Sequence, residues 1–247
     1  MAAGKNTIVV TGAGSGIGRA VALELAAAGH GVVLVGRRQA PLAETAAAGG
    51  PASSVAAVDV RDGAALREAL GSHGSLAGVV ACAGIGGPNA PGEQDRFHEL
   101  VETNLLGTYN TLRAFEPWAA PAARAVVVSS ILARIGVGGY TGYCASKAGL
   151  LGLVRAFAIE WAPKGHEINA IAPGWVETDM ATQGLTGMAE ALGITLSQAR
   201  ERALGEVPLG RMSTPAEIAR VIAWMLSPAS RGMTGHTLDV NNGAFMA

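Results

Sequence analysis

Short apolar or β-branched runs recur along the chain at 7–10, 31–35, 54–58, 78–82, 125–129, 167–172 and 236–240. Each reads as a strand. Helical stretches separate them at about 40–48, 63–70, 94–118, 143–161 and 215–226, and the four-residue recurrence of Ile17, Val21 and Leu25 before Gly29 marks another. Strand and helix alternating in this way predict an α/β fold, a doubly wound parallel sheet of about seven strands covered on both faces. The segment 173–210 breaks the rhythm. It holds one predicted helix, 188–204, inserted where such sheets place their ligand crevice.

The 143–161 helix carries Leu150, Leu151, Leu153, Val154, Phe157, Ile159 and Trp161 on more than one face. A helix apolar nearly all round needs more cover than its own sheet, which predicts packing against another subunit. With 247 residues, 49% of them hydrophobic, and no linker or repeat, the chain reads as a single domain over 1–247, with a substrate-binding insertion at about 175–210. A formal net charge of −1 with both signs interspersed offers no footprint for nucleic acid or an anionic membrane. There is no membrane-spanning run, and residues 1–6 lead directly into the first strand, so a soluble, cytoplasmic protein is expected. Cys82 and Cys144 lack metal-ligand spacing and read as reduced packing residues, with no metal site expected.

Two constellations carry chemistry. The first strand runs into Thr11-Gly12-Ala13-Gly14-Ser15-Gly16-Ile17-Gly18, and these glycines open a helix. Unpaired N–H groups at a helix start, approached over residues without a β-carbon, suit the pyrophosphate of a dinucleotide. The second is Tyr143-Cys144-Ala145-Ser146-Lys147, whose spacing puts a phenol and an ammonium on one helical face. The ammonium is expected to draw the phenol pKa below its ordinary value of about 10, the direction that proton transfer at neutral pH requires.

These motifs, with Ser130 thirteen residues before Tyr143, Asn104 within Glu102-Thr103-Asn104-Leu105, and Pro173-Gly174-x-x-x-Thr178 after Asn169-Ala170-Ile171-Ala172, resemble the short-chain dehydrogenase/reductase family along essentially the whole chain. The resemblance implies a Rossmann-type single domain and a 3-oxoacyl reductase-like activity. It implies catalytic roles for Ser130, Tyr143, Lys147 and Asn104. Tyr143 would exchange a proton with the carbonyl or hydroxyl oxygen, Ser130 would orient that oxygen, Lys147 would lower the Tyr143 pKa and hold the ribose, and Asn104 would help hold a water on the proton path. It implies cofactor contacts from Gly12, Ser15, Gly16, Ile17, Gly18, Arg37, Asp59, Val60, Ala83, Gly84, Tyr143, Lys147, Pro173, Gly174, Val176 and Thr178, with Asp59 on the adenine amino group. Two positions depart from the family pattern: Ala81-Cys82-Ala83-Gly84 stands where Asn-Asn-Ala-Gly is common, and Glu167 where Arg is common.

At the end of the second strand, Gly36-Arg37-Arg38 stands where an NAD enzyme often has an acid for the ribose 2′-hydroxyl. Arginine offers a fork for a 2′-phosphate, which favours NADP(H), with NAD(H) the alternative because Gly-Arg also occurs in NAD-dependent members. Ile131, Leu132, Ile135, Tyr140, Trp175, Met180, Leu185 and Met188 suggest an apolar substrate pocket, while Arg134 and His98 are candidates for an anion or for surface roles. The expected reaction interconverts a ketone and a secondary alcohol, 3-oxoacyl thioesters first, some of them carrier-bound, and polyketide or cyclic ketones second. The alternatives are an NAD-dependent alcohol dehydrogenase and a non-catalytic dinucleotide-binding sensor or scaffold. A homotetramer is expected from the resemblance.

Overall fold

The computed structural model describes residues 6–92 and 95–246. Residues 1–5 and 94, which entered the sequence reading, lie outside them. Seven parallel strands, β1 (Thr7–Thr11), β2 (Gly31–Gly36), β3 (Ser53–Ala57), β4 (Leu76–Ala81), β5 (Ala119–Val128), β6 (Glu167–Pro173) and β7 (Thr237–Val240), lie in the order β3-β2-β1-β4-β5-β6-β7. Nine α-helices are described: α1 (Gly16–Ala27), α2 (Gln39–Gly49), α3 (Gly63–Gly71), α4 (Phe97–Val101), α5 (Gly107–Phe115), α6 (Thr141–Trp161), α7 (Asp179–Leu192), α8 (Leu196–Gly205) and α9 (Pro215–Leu226).

Because successive side chains of a strand point to opposite faces, the apolar runs serve two cores. Val9, Val33, Val79 and Val127 pack with Leu66, Leu112, Phe115, Phe157 and Trp161 on the side of α3, α5 and α6. Their neighbours Ile8, Val10, Val32, Leu34, Val80 and Val126 pack with Val21, Leu25, Ile218 and Ile222 of α1 and α9 on the other. Strand order reverses beside β1, which pairs with β2 on one edge and β4 on the other. The crevice at the carboxyl ends of these strands is where such a sheet receives a ligand.

Three predicted elements are revised. The long 94–118 helix is composite: α4 passes into a π-helical turn, Glu102–Leu106, then α5, then a 3₁₀ turn, Glu116–Trp118. The 188–204 helix is two helices, α7 starting earlier and ending at Gly193 with φ +64°, and α8 opened by a capping box between Thr195 and Gln198. β5 starts six residues before its predicted first residue, because the stretch with Pro121 and with Ala122 at φ +57° joins β4 only through an irregular register. Glu167 forms its own ion pair with Arg124 at 2.8 Å across β5 and β6.

α6 buries Leu150, Val154, Phe157 and Trp161, while Ala145, Ala148, Gly152 and Ala156 stay exposed and Ile159 is 78% exposed.

Candidate active site

The glycine turn is shaped by contacts that only glycine permits. Gly12 has φ +70°, and a β-carbon on it would lie 2.9 Å from the Ala83 Cα. Gly16 has φ +53°, and a β-carbon on Gly18 would collide with the Gly12 carbonyl. Ser15 occupies the cap of α1 but makes no side-chain cap hydrogen bond, so the first turn of the helix stays open to an anion. Thr11, quoted within the motif but given no role in the sequence reading, ties this turn to the next loop. Its Oγ1 accepts from the Cys82 and Ala83 N–H groups at 3.0 and 3.1 Å. The signal was a hydroxyl side chain placed directly before the glycines.

A cavity of about 150 Å³ lies over this turn, lined by Gly12, Gly14, Ser15, Arg37, Asp59, Val60 and Gly84 among others. The glycine cradle, the uncapped helix start and the arginine suit the adenosine and phosphate portions of a dinucleotide. Arg37 is exposed and forms no ion pair among the described residues. Asp59 is already engaged: Arg61 donates Nε and Nη2 to its carboxylate, the shortest contact being 2.7 Å, and this hydrogen bonding holds the Asp59 pKa below the usual carboxylate value. A larger open groove of about 690 Å³ shares Asp59 with it, between Arg61, Leu106 and Tyr109, and none of Ser130, Tyr143 and Lys147 lines it.

Ser130 follows β5 with extended backbone, and its Oγ accepts from the Leu132 N–H at 3.1 Å, capping the turn Ile131–Ala133. Tyr143 and Lys147 share one face of α6, with the Lys147 Nζ 5.8 Å from the phenol ring centroid. Lys147 is only 5% exposed and donates to the Val128 carbonyl at 2.9 Å. Burial lowers its pKa to about 8.

The expected direction for Tyr143 is corrected here. Burial raises its phenol pKa above the ordinary value, and the nearby Ser130 hydroxyl only partly opposes that shift. The ammonium points to a main-chain carbonyl and is itself disfavoured by burial, so it does not outweigh desolvation of the phenolate. Cys82 lies in the same enclosure, its thiol pushed up to about 11 by burial. It is therefore a neutral packing group near neutral pH.

Asn104 sits inside the π-helical turn and is fully buried. Its Oδ1 accepts from the Ile85 N–H at 2.8 Å, and its Nδ2 donates to the Ile85 carbonyl and to Ser146 Oγ at 3.0 and 3.1 Å. A π turn accommodates one extra residue and re-aims its side chains, which is why such turns gather at functional sites. A β-carbon on Gly84 would lie 3.1 Å from Asn104 Oδ1 and 3.5 Å from Lys147 Nζ, so this glycine lets the loop close over both.

From the far side, Gly174 packs on Asn241, where a β-carbon would lie 3.0 Å from that Cα. Val176 is buried and Thr178 caps α7 through Ala181 N–H at 3.3 Å. The Thr178 methyl lies 3.3 Å from where a Gly16 β-carbon would stand, so Pro173 to Thr178 crosses the crevice to the glycine turn. Met180 reaches Gly86, which has no room for a side chain beneath the sulfur. Leu185 is 4% exposed in the inner core of the α7 segment, and Arg134, a candidate for an anion or for a surface role, pairs with Asp239 at 3.1 Å. His98 is exposed on α4. Among the described residues no helix is long and apolar enough to cross a membrane, and no group of three or more His, Cys, Asp or Glu could hold a metal ion.

A family model described as enoyl-(acyl carrier protein) reductase matches residues 12–244. The chain is 32% identical to 3-oxoacyl-[acyl-carrier-protein] reductase FabG of Staphylococcus aureus over 96% of this chain and 97% of that one. It is 34% identical to the FabG of Pseudomonas aeruginosa over 97% of each. A solved structure of a point variant of actinorhodin polyketide ketoreductase with NADPH superposes with a TM-score of 0.89 at 30% identity, covering 97% of each chain.

Proposed function

From its membership of the short-chain dehydrogenase/reductase family, to which this chain belongs as an oxidoreductase, we propose that it reduces a ketone with NADPH, a 3-oxoacyl thioester or a polyketide-like ketone. One observation carries the reading: Tyr143, Ser130 and Lys147 come together at the carboxyl end of β5, beside the crevice lined by the glycine turn and Arg37. The nicotinamide, when bound, supplies the hydride. Ser130 then hydrogen-bonds the carbonyl oxygen and holds it in line with the Tyr143 phenol, which delivers the proton as charge develops on that oxygen. The phenol is protonated at neutral pH, as a donor must be, although burial makes it a weaker acid. Lys147, placed next to the phenol, restores its proton and holds the ribose hydroxyls, while Asn104 orders the interior of α6 through Ser146. Pro173, Gly174, Val176 and Thr178 wall the nicotinamide side, and Ala83, Gly84 and Val60 the adenosine side.

The relatives named as FabG and as a polyketide ketoreductase support the ketone class, and the exposed Arg37 lining the cavity supports a 2′-phosphate. The decisive assay follows NADPH oxidation with a short 3-oxoacyl thioester. Fast turnover is expected, and NADPH binding without turnover of 3-oxoacyl or cyclic ketones would overturn the substrate class.

We also propose that copies associate through α6, as a homotetramer. The exposed stripe of Ala145, Ala148, Gly152 and Ala156 lets a second helix approach closely, and Ile159 beside it is 78% exposed. Sedimentation at micromolar concentration should return four chains; a single chain would exclude the association.

A further inference from the structure

The first turn of α6 has no cap of its own. Tyr140 stands at the cap position and makes no side-chain hydrogen bond there. The missing acceptor arrives from the segment after β4, on Asn89, which is 6% exposed. Its Oδ1 accepts from the Gly142 N–H at 2.8 Å, one residue before Tyr143, and from the Thr141 hydroxyl at 3.3 Å. Its Nδ2 donates to Thr141 Oγ1 at 2.9 Å and to Asp95 Oδ1 at 3.0 Å. Asp95 Oδ1 accepts in turn from the Phe97 N–H at 3.0 Å, where α4 begins. The Asn89 N–H donates to the Gly139 carbonyl at 2.8 Å. Backbone packing agrees with this network: a β-carbon on Gly142 would lie 3.0 Å from Phe97 Cα and 3.3 Å from Asn89 Oδ1.

We propose that Asn89 is a positioning residue for proton transfer, clamping the first turn of α6 and with it the Tyr143 phenol to the loop that also forms the cofactor wall. The proposal rests on the reading of Tyr143 as the proton donor. A side-chain amide is suited to the place because it accepts from a helix N–H through Oδ1 and donates to a carboxylate through Nδ2 at once, whereas an ionised acid facing Asp95 has no proton to donate. Ala83, Gly84 and Ile85 of the same loop line the cavity over the glycine turn, so the clamp sets the phenol against the bound cofactor rather than against α6 alone. The groups facing the phenol are Lys147, Cys144 and Tyr140 on or beside α6, Cys82 after β4, and Ser130 after β5. Lys147, Cys82 and Ser130 lie outside the first turn and keep their places if only that turn shifts, whereas Tyr140 and Cys144 move with Tyr143, so the variant reads the position of the phenol against Ser130 and Lys147.

The test compares Asn89→Ala with the exchange Asn89→Asp plus Asp95→Asn, which swaps the amide and the carboxylate and leaves a donor facing an acceptor. Three quantities are read: kcat with the ketone, NADPH affinity by fluorescence titration, and the ionisation of Tyr143 by ultraviolet titration. The chain has three tyrosines, so subtracting the Tyr143→Phe titration isolates one phenol. Asn89→Ala should lose about 30-fold or more in kcat, on the scale of an ångström-sized misplacement, with NADPH affinity within about 2-fold. Its Tyr143 midpoint should fall toward the ordinary value of about 10 as water reaches the ring. The exchange variant should return kcat to within about 3-fold of the unsubstituted protein, because the hydrogen-bond pairing is restored. An unchanged kcat in Asn89→Ala, or a folded exchange variant as slow as Asn89→Ala, would overturn the proposal. Should Asn89→Ala not fold, the folded exchange variant decides alone, recovery supporting the clamp and a large loss removing it. If the unsubstituted protein reduces no ketone, the substrate reading fails separately, and an unmoved Tyr143 midpoint still rejects the clamp.

Discussion

Replacing Tyr143 by Phe is expected to lower kcat by about 10³-fold, within the range assigned to a positioned acid or base, while NADPH affinity stays within about 3-fold. The ring remains, so packing in the enclosure and the Lys147 side chain above it are retained. What disappears is the hydroxyl proposed to hand a proton to an oxygen held by Ser130. Steady-state rates with matched cofactor titrations check both halves. A rate within about 10-fold of the unsubstituted protein would point to water as the donor and remove Tyr143 from the mechanism. A joint loss of rate and cofactor binding would mean that the hydroxyl holds the crevice together.

Arg37→Asp is the second large effect. Arg37 lines the adenosine cavity, is exposed, and has no ion-pair partner among the described residues, whereas neighbouring Asp59 is held by Arg61. A charge-assisted pair to a 2′-phosphate contributes about 1.5–3 kcal/mol, and an aspartate there would also repel that phosphate while accepting from a 2′-hydroxyl. The ratio of kcat/KM for NADPH over NADH should therefore fall by about 10³-fold, the sum of a lost attraction and a new repulsion. Parallel assays with the two cofactors measure it directly. If the ratio barely moves, Arg37 is a solvated turn residue; if the unsubstituted protein already prefers NADH, the cofactor preference is reversed.

The alternating order of apolar runs made the parallel sheet and its two helical covers legible in the sequence, because each run is short, β-branched and followed by helical spacing. The glycine turn and the Tyr143 and Lys147 pair were legible for another reason: their chemistry is local, encoded by residues within one strand, turn or helix. Non-local effects were not. The π turn around Asn104 depends on bonds to Ile85 and Ser146 that no neighbouring residue announces. The rise in the Tyr143 pKa depends on how completely the loops close, and Lys147 was oriented by a carbonyl on β5. Arg134, readable as an anion ligand or a surface residue, found its partner only in Asp239 on β7, more than a hundred positions later. The break between α7 and α8 was different, since Gly193 and the Thr195 to Gln198 box carried a stop and a start that the apolar spacing masked.

Strand order has a consequence for how the chain is made. β1 and β4 lie at the middle of the sheet, and β5, β6 and β7 add outward from β4 in order of synthesis. A nascent chain that has emerged through Ala81 can assemble β3, β2, β1 and β4, yet Val79, Val80 and Ala81 then border an unpaired edge until Ala119–Val128 follows. Slow translation across that interval would prolong an adhesive intermediate, and rapid delivery of β5 would close it.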